Sequence, residues 1–489
     1  MSETNNTKQA AWVAFGSLFS FGFGIASSMI LSRYFDKADY GTYKQVLYVY
    51  NSLLVLFTMG LPQAFSYFLP KSPLNEAKNL IKKLTNVFFL SGGIVSLLLF
   101  FCSGIIADFL GNPELTVALK MFAPVPFMMM PTMGLDGILA TYKKTKFLAI
   151  YTITTRAIML CCVALPVFLI NGSYKMAIVG FNIGVLVTLI LALFLKYYPV
   201  RKGGNEKTTY TYKTIFKYSF PLLAASIWGV LINSTDQFFI SRYFGNETFA
   251  IFSNGAMDLP FVGMIISACS TVLIPLFTRK VHEKADFMTD IYPIWHSSFE
   301  KSAMLIYPLT IFCIFNAELI MTIMYGDKYA ASSDFFRIKL LTYFVKIISY
   351  YAILLALGAT KYYRNIFMYG FFLLVLAEWL SLQLFRNPLL ITAIHTVFTI
   401  SYCLTFIRYI AKRFSISFWK LIPKSPILKL LVNSVLSIAI SQYIRLQFLP
   451  ELSDILHFCF NFGCFATIYL LLSIPLKQNY LKIIIPLFK

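Results

Sequence analysis

Charge is scarce in this chain of 489 residues. Asp, Glu, Lys and Arg supply only 13% of it, about half the share of an ordinary soluble domain. Acids are scarcer than bases, 21 against 42. Such a chain cannot cover a water-soluble surface of this size with polar groups. Histidine occurs four times, scattered, and the eight cysteines (Cys102, Cys161, Cys162, Cys269, Cys313, Cys403, Cys459, Cys464) all fall inside apolar segments. No metal-ligand spacing joins them, so they read as small hydrophobes rather than as a disulfide framework or zinc site. Three catalytic signatures are missing: the Gly-x-x-x-x-Gly-Lys-Ser/Thr phosphate loop, His-Glu-x-x-His, and the Gly-x-Ser-x-Gly elbow. Their absence argues against ATP hydrolysis by this chain and against common hydrolase chemistry. No hydrophilic stretch is long enough for a soluble catalytic domain. A cleavable leader is not the better reading of the start, where residues 1–9 are polar and the apolar run that follows, to about 31, is too long. It reads as an uncleaved first span.

What is present is apolar sequence: 58% of residues, with a mean hydropathy of +0.70. Runs of about 20 apolar residues recur throughout, the length of helix that crosses a hydrocarbon core. Backbone groups at that depth must satisfy one another as helix. The fold class is therefore an all-α polytopic membrane protein. Fourteen spans are expected, near 10–31, 45–68, 85–107, 117–140, 147–170, 175–197, 217–240, 255–278, 301–324, 336–358, 364–385, 388–409, 427–447 and 454–474. The last pair is the least distinct, because its flanks are apolar too. Lys and Arg gather after every second span: Lys71, Lys78, Lys82 and Lys83; Lys143, Lys144 and Lys146; Lys196 to Lys217; Arg279, Lys280, Lys284 and Lys301; Lys361 and Arg364; Arg408 to Lys429; and the tail residues Lys477, Lys482 and Lys489. About two thirds of all basic residues lie on this side, which marks it as cytoplasmic and puts both termini there. The net charge of +21 is thus mostly a topology signal, not a nucleic-acid footprint. Segment 198–214, with Gly203-Gly204, reads as a flexible linker, and 282–298 as a stretch able to lie along the membrane surface.

The chain echoes itself. Leu31-Ser32-Arg33-Tyr34-Phe35 returns 209 residues later as Ile240-Ser241-Arg242-Tyr243-Phe244. Phe109-Leu110-Gly111-Asn112 closes span three as Met324-Tyr325-Gly326-Asp327 closes span nine. Leu139-Ala140-Thr141-Tyr142-Lys143 closes span four as Leu357-Gly358-Ala359-Thr360-Lys361 closes span ten. Each copy holds six spans, so the copies run in one direction, related by a pseudo-twofold axis along the membrane normal with a substrate path between them. The expected organisation is a six-helix lobe at 1–197, a cytoplasmic linker at 198–216, a second six-helix lobe at 217–410, and an additional helix pair and tail at 411–489.

A further set of motifs resembles a known family. Arg33-Tyr34-Phe35 is followed by Asp39-Tyr40-Gly41-Thr42-Tyr43. Span seven opens with Lys217-Tyr218-Ser219-Phe220-Pro221 and carries Asp236-Gln237-Phe238. Span nine ends in Tyr325-Gly326-Asp327-Lys328-Tyr329. In order and spacing these resemble the Wzx-type polysaccharide (O-antigen) flippases of the MOP superfamily, which also holds the MATE drug exporters and the MurJ-type lipid II flippases. The chain departs from the pattern where Phe35-Asp36 replaces Leu-Gly and Phe249-Ala250 replaces the second Tyr-Gly. The resemblance implies two six-helix lobes around a V-shaped cavity and alternating access. It also implies transport of an undecaprenyl-pyrophosphate-linked oligosaccharide across a bacterial inner membrane, for export of a surface polysaccharide such as O-antigen or lipopolysaccharide. Partners would be that lipid-linked oligosaccharide, membrane lipids, and the glycosyltransferases and glycan polymerase of the same pathway, with no nucleic acid.

Charges at membrane depth usually face a cavity. Arg156 lies about 13 Å into span five at 1.5 Å per residue, and Lys346 is similarly deep in span ten. With Arg33, Arg242, Lys44, Lys120 and Lys339 they form a candidate set of cavity cations that would receive a pyrophosphate or acidic sugars, Arg by bidentate contact. For the shallower ones, and for Arg337, snorkelling to headgroups is the simpler reading; Arg156 and Lys346 are harder to explain that way. Buried acids are Asp136, Asp236, Asp258, Glu318 and Glu378. Asp236 and Asp258 are candidates for a coupling H+ or Na+, or else partners for Arg33 or Arg242; Asp136 reads as an interface residue. Prolines within spans, among them Pro62, Pro124, Pro126, Pro131, Pro221, Pro260, Pro275 and Pro308, permit hinges. No catalytic residues, metal or cofactor are expected. The main alternative is a MATE-type cation-coupled multidrug exporter, disfavoured because the first span has no acid and the deepest charges are basic. A membrane glycosyltransferase or polymerase would need a sizeable outer loop. A channel fits a repeated-lobe plan less well than a carrier does.

Overall fold

The computed structural model describes residues 3–58, 60–170, 172–283, 286–348, 350, 353–354, 357–448, 453–478 and 480. Lys284, Lys482 and Lys489, three of the basic residues on which the expected topology rests, lie outside these residues. Among the described residues all regular structure is helical. Ten helices are long and apolar enough to cross a membrane, or up to twelve if two bent pairs each count as one span. The chain is a multi-pass membrane protein. Two of the fourteen expected spans fall outside that set. The eighth is helical over Pro260–His282. In the tenth, helix Ser332–Leu340 gives way to a short 3-10 segment, Leu341–Phe344, and then to turns at 345–347.

The chain forms two compact units, Met1–Ala250 and Ile251–Lys489. The boundary between the units lies past the end of the expected seventh span. In the first unit, α1 (Glu3–Tyr34) lies against α9 (Thr145–Ile170), which packs on α10 (Tyr174–Tyr197). The second span is α2 (Lys37–Thr58) and α3 (Leu61–Phe68), bent by 42°. Gly60 between them is in the left-handed region at φ +66°, and Pro62 cannot donate to the preceding turn. The third span is α4 (Leu74–Phe101) with α5 (Ser103–Leu110). The fourth is cut into α6 (Leu115–Phe122), α7 (Pro124–Met129) and α8 (Leu135–Thr141) around Pro124 and Pro131. The seventh is α11 (Tyr212–Gly255), bent by 45° one turn after Pro221 and broken again at Gly245, whose φ of +82° interrupts the helix.

α2–α3 and α11 run antiparallel and meet near both ends. Gln45 donates to Ser241 Oγ at 2.8 Å and Tyr48 donates to the Ser234 carbonyl at 3.3 Å. The bend at Gly60 abuts the bend in α11, since a Cβ on Gly60 would lie 2.9 Å from Leu222 Cβ and 3.0 Å from the Ser219 carbonyl oxygen. Farther on, the rings of Tyr67 and Tyr218 stack 4.1 Å apart. Two of the expected proline hinges, Pro62 and Pro221, thus stand beside breaks that face each other.

Segment 198–214 is docked rather than flexible. Glu206 N donates to the Asn75 carbonyl at 3.1 Å, Thr208 N to Asn79 Oδ1 at 3.2 Å, Thr209 N to Glu76 Oε2 at 2.9 Å, and Lys83 Nζ to the Tyr210 carbonyl at 2.8 Å. Polar groups on the first turns of α4 satisfy the backbone of the segment, which its Gly-Gly composition does not reveal.

In the second unit, α12 (Pro260–His282) leads through a π-turn, Phe287–Ile291, into α13 (Tyr292–Phe315) and α14 (Ala317–Tyr325). Residues 288–298 thus begin the ninth span rather than forming a separate surface segment; Lys280 pins the turn through Asp290 at 3.1 Å. After α15 (Ser332–Leu340) come α16 (Thr360–Leu384) and α17 (Pro388–Arg413). The last pair, α18 (Lys424–Phe448) and α19 (Asp454–Ser473), meets the span criteria and packs on the unit through polar contacts. Asn461 donates to Asn316 Oδ1 at 3.0 Å, a bond to the rest of the unit, while within the pair Ser441 donates to the Asn461 carbonyl at 3.3 Å and Asn433 to the Tyr469 carbonyl at 3.2 Å. Such bonds between apolar helices fix register where lipid offers no competing partner.

Candidate functional site

Two of the repeated sequence elements, Phe109–Asn112 and Ile240–Phe244, meet the Asp39–Tyr43 motif at one buried polar node in the first unit. Gln45 and Thr42 of α2 and Ser241 of α11 are 0% exposed. Asn112, in the turn after α5, donates to Gln45 Oε1 at 2.6 Å and to Thr42 Oγ1 at 2.9 Å, while Gln45 donates on to Ser241. Asn246 donates to the Ala38 carbonyl at 3.2 Å and to Thr42 Oγ1 at 3.3 Å. The Asp39–Tyr43 motif thus serves this junction, for Thr42 supplies an acceptor and Gly41 lets the Asn246 carbonyl approach its backbone. On the basic-residue assignment this node lies at the outer ends of spans one, two, three and seven. A connected network of satisfied polar groups specifies one arrangement more strongly than its bonds taken singly.

A second feature is a cavity of about 190 Å³ lined by α8, α9 and α10, with Thr132, Asp136, Tyr151, Thr155, Arg156 and Thr188 among its walls. Arg156 and Asp136 share this cavity, and neither belongs to an ion pair found among the described residues. Arg156 is exposed, so its guanidinium is not packed away. The sequence points to Arg156 as a cavity residue but gives Asp136 only as an interface residue.

The other candidate cations scatter. Lys44 is half-buried, donating to Ser28 Oγ at 3.2 Å, with its ammonium 5.1 Å from the Tyr40 ring. Arg242 donates to the Asp108 carbonyl at 2.6 Å, near the C-terminal end of α5, where the helix dipole favours a cation. That bond ties Arg242 to the end of α5. Arg33 and Lys120 are exposed, Lys120 lying 6.0 Å from the Phe100 ring. In the second unit Lys339 is half-buried, 3.2 Å from His395 Nδ1, and Arg337 is paired with Asp334 at 2.8 Å. Lys346 is exposed at the interruption of span ten; unwound backbone at membrane depth is tolerated where it is buried in protein or lines a water-filled cavity. Asp236 is 1% exposed, its carboxylate accepting from Gln237 N at 2.8 Å. Asp258 accepts from the Tyr343 hydroxyl at 2.9 Å, and the same hydroxyl accepts from Leu259 N at 3.2 Å.

Lys196, grouped by sequence with the cytoplasmic loop cations, is buried instead. It is 0% exposed, 3.4 Å from Thr85 Oγ1, with its ammonium 4.7 Å and 5.7 Å from the Phe65 and Phe88 rings. Two aromatic faces replace much of the lost hydration. The signal that could have found it is periodicity: Val185, Leu189, Ala192 and Lys196 continue one buried helical stripe of α10. His395, which no motif marks, shares the buried face of α17 with Thr392, Thr396 and Thr399.

The sequence matches the polysaccharide biosynthesis protein family over residues 7–281. The chain belongs to that family. Its fold is that of the MOP-superfamily transporters. The lipid II flippase MurJ, in an inward closed conformation, matches with a TM-score of 0.69 at 14% identity, over 94% of this chain and 97% of that one. A multidrug resistance MATE family transporter in an inward-facing conformation matches with a TM-score of 0.64 at 11% identity, over 80% and 94%. A MOP superfamily transporter from Pyrococcus furiosus, described as having a binding pocket of reverse polarity, matches with a TM-score of 0.59 at 13% identity, over 84% and 95%. No curated protein matches the sequence.

Proposed function

We propose that this member of the polysaccharide biosynthesis protein family is a flippase. It moves an undecaprenyl-pyrophosphate-linked oligosaccharide from the cytoplasmic to the outer leaflet of a bacterial inner membrane, by alternating access, with both termini cytoplasmic. The observation that carries this reading is Arg156, a guanidinium at membrane depth on the wall of a cavity. A cation there complements an anionic headgroup. Lys346, at the interrupted tenth span, supplies a second cation in the other unit. The family match supports a glycan pathway over drug export. Asp236 and Asp258 are the proposed sites for a coupling H+ or Na+, and the two six-helix lobes inferred from the internal repeat are the proposed moving bodies.

Deletion of the gene tests the class. A flippase deletion loses surface polysaccharide while the lipid-linked unit accumulates on the cytoplasmic face. Intact polysaccharide with heightened sensitivity to cationic dyes would instead identify a MATE-type exporter.

A further inference from the structure

The second unit carries a groove of about 820 Å³ between α16 and α17, walled by residues spaced three and four apart on the facing sides of the two helices. Its composition changes along its length. In the half toward the α16–α17 loop the walls are purely apolar, with Leu373, Ala377, Ala393 and Val397. In the other half Asn365, Ser401 and Thr405 join the lining. Small side chains at Ala377 and Ala393 leave the slot deep, and Val397 and Leu373 are each 62% exposed along its rim.

Beyond the polar half the groove ends in cations. Arg364 Nη2 and Nε donate to Asn365 Oδ1 at 3.0 Å and 3.2 Å, so its guanidinium is tied to a groove residue. The rings of Tyr362 and Tyr409 stack 3.9 Å apart across this end, and Arg408, exposed, is the neighbour of Tyr409 on α17. On the basic-residue assignment this is the cytoplasmic end. A lining that runs from apolar to polar to cationic matches an amphiphile with a long hydrocarbon tail and an anionic head at the cytoplasmic surface. Among such amphiphiles the flippase reading selects the polyprenyl carrier, and competition by phosphatidate tests that choice.

Resting on the flippase reading above, we propose that this groove seats the isoprenoid tail of the polyprenyl-phosphate carrier lipid, with Arg364 and Arg408 at its phosphate end. The tail then stays in contact with hydrocarbon at the protein's surface while the polar part of the substrate is handled elsewhere. The polyprenyl chain thus has a docking position separate from the Arg156 cavity.

The test measures binding, not export, so it can fail while the flippase reading stands. The full-length protein is placed in nanodiscs of phosphatidylethanolamine and phosphatidylglycerol with a benzophenone-bearing polyprenyl phosphate, irradiated, and mapped by peptide sequencing. Labelling should concentrate in 362–377 and 390–405 and be competed by unlabelled polyprenyl phosphate but not by phosphatidate. Filling the slot with Ala393→Trp, or independently with Ala377→Phe, should cut labelling about tenfold, and Arg364→Gln with Arg408→Gln should abolish the preference for polyprenyl phosphate over polyprenol. Variants are compared only after their melting temperatures match the parent, and the arginine pair provides a readout if both filling variants fail to fold. Labelling spread over other helices, equal competition by phosphatidate, or full labelling of the filled groove would overturn the proposal.

Discussion

The carbonyl oxygen of Asn246 occupies the space where a side chain on Gly41 would stand, so α2 and α11 meet there backbone to backbone. Around this contact Thr42, Gln45, Asn112 and Ser241 are joined by hydrogen bonds, and all four are buried. A seam this close tolerates one alignment, and in the alternating-access cycle proposed above an outward opening would part it.

Gly41→Val should destabilise the protein by about 1–3 kcal/mol, the usual cost of forcing extra atoms into a packed core. The measurement is the melting temperature of the detergent-solubilised protein by size-exclusion. An unchanged melting temperature would mean the helices do not approach as closely as described.

Parting of the seam is tested by locking it. Gln45→Cys with Ser241→Cys puts two thiols on the facing turns of α2 and α11, where a 2.8 Å hydrogen bond now joins the longer side chains, and a reducible bis-methanethiosulfonate bridge spans the gap that the lost glutamine stem leaves. Bridging should stop glycan export and reduction should restore it. Continued export by the cross-linked protein would show that transport proceeds without opening here.

The buried Lys196 separates packing from charge. Lys196→Met keeps the stem between Phe65 and Phe88 and removes the buried ammonium, an exchange that is often neutral or stabilising; melting should be preserved and export retained. Lys196→Ala leaves a cavity and should cost about 2–5 kcal/mol. Loss of export by a stable Lys196→Met protein would instead make this lysine part of the transport chemistry.

The docked segment 198–214 makes a proteolytic prediction. Lys202 and Lys207 should resist brief trypsin treatment in inside-out vesicles, and Glu76→Ala with Asn79→Ala, which removes two of its side-chain acceptors, should expose them. Rapid cleavage of the parent protein would contradict the docking.

Helical class and most spans are legible in the sequence because apolar runs of membrane-crossing length have few other readings. Breaks are legible only in part. Pro62 and Pro221 stand in the sequence, but the facing of their two bends depends on how α2–α3 and α11 align, which no local pattern encodes. The echo of Gly111 and Gly326 reflects real geometry, since both adopt positive φ, 69° and 87°, after the helices they close. The polar node is nearly invisible: Gln45, Asn112 and Ser241 are ordinary residues until a distance of 196 positions is folded away. Arg156 stands out because a charge in an apolar run is conspicuous, whereas Lys196 misleads because a lysine at a span's end is usually solvated. Arg242, conspicuous for the same reason as Arg156, is held by the end of a neighbouring helix.

A deep cation that receives an anionic, lipid-linked glycan is the centre of this account, and proteoliposomes test it most directly. A fluorescent undecaprenyl-pyrophosphate oligosaccharide is supplied to one leaflet and its arrival in the other is read by accessibility to an added lectin. The account predicts transfer by the parent protein, loss of about 1–3 kcal/mol of substrate interaction in Arg156→Ala, as for an unmade charge-assisted bond, and partial recovery in Arg156→Lys. Transfer at the parental rate by Arg156→Ala together with Lys346→Ala would contradict it.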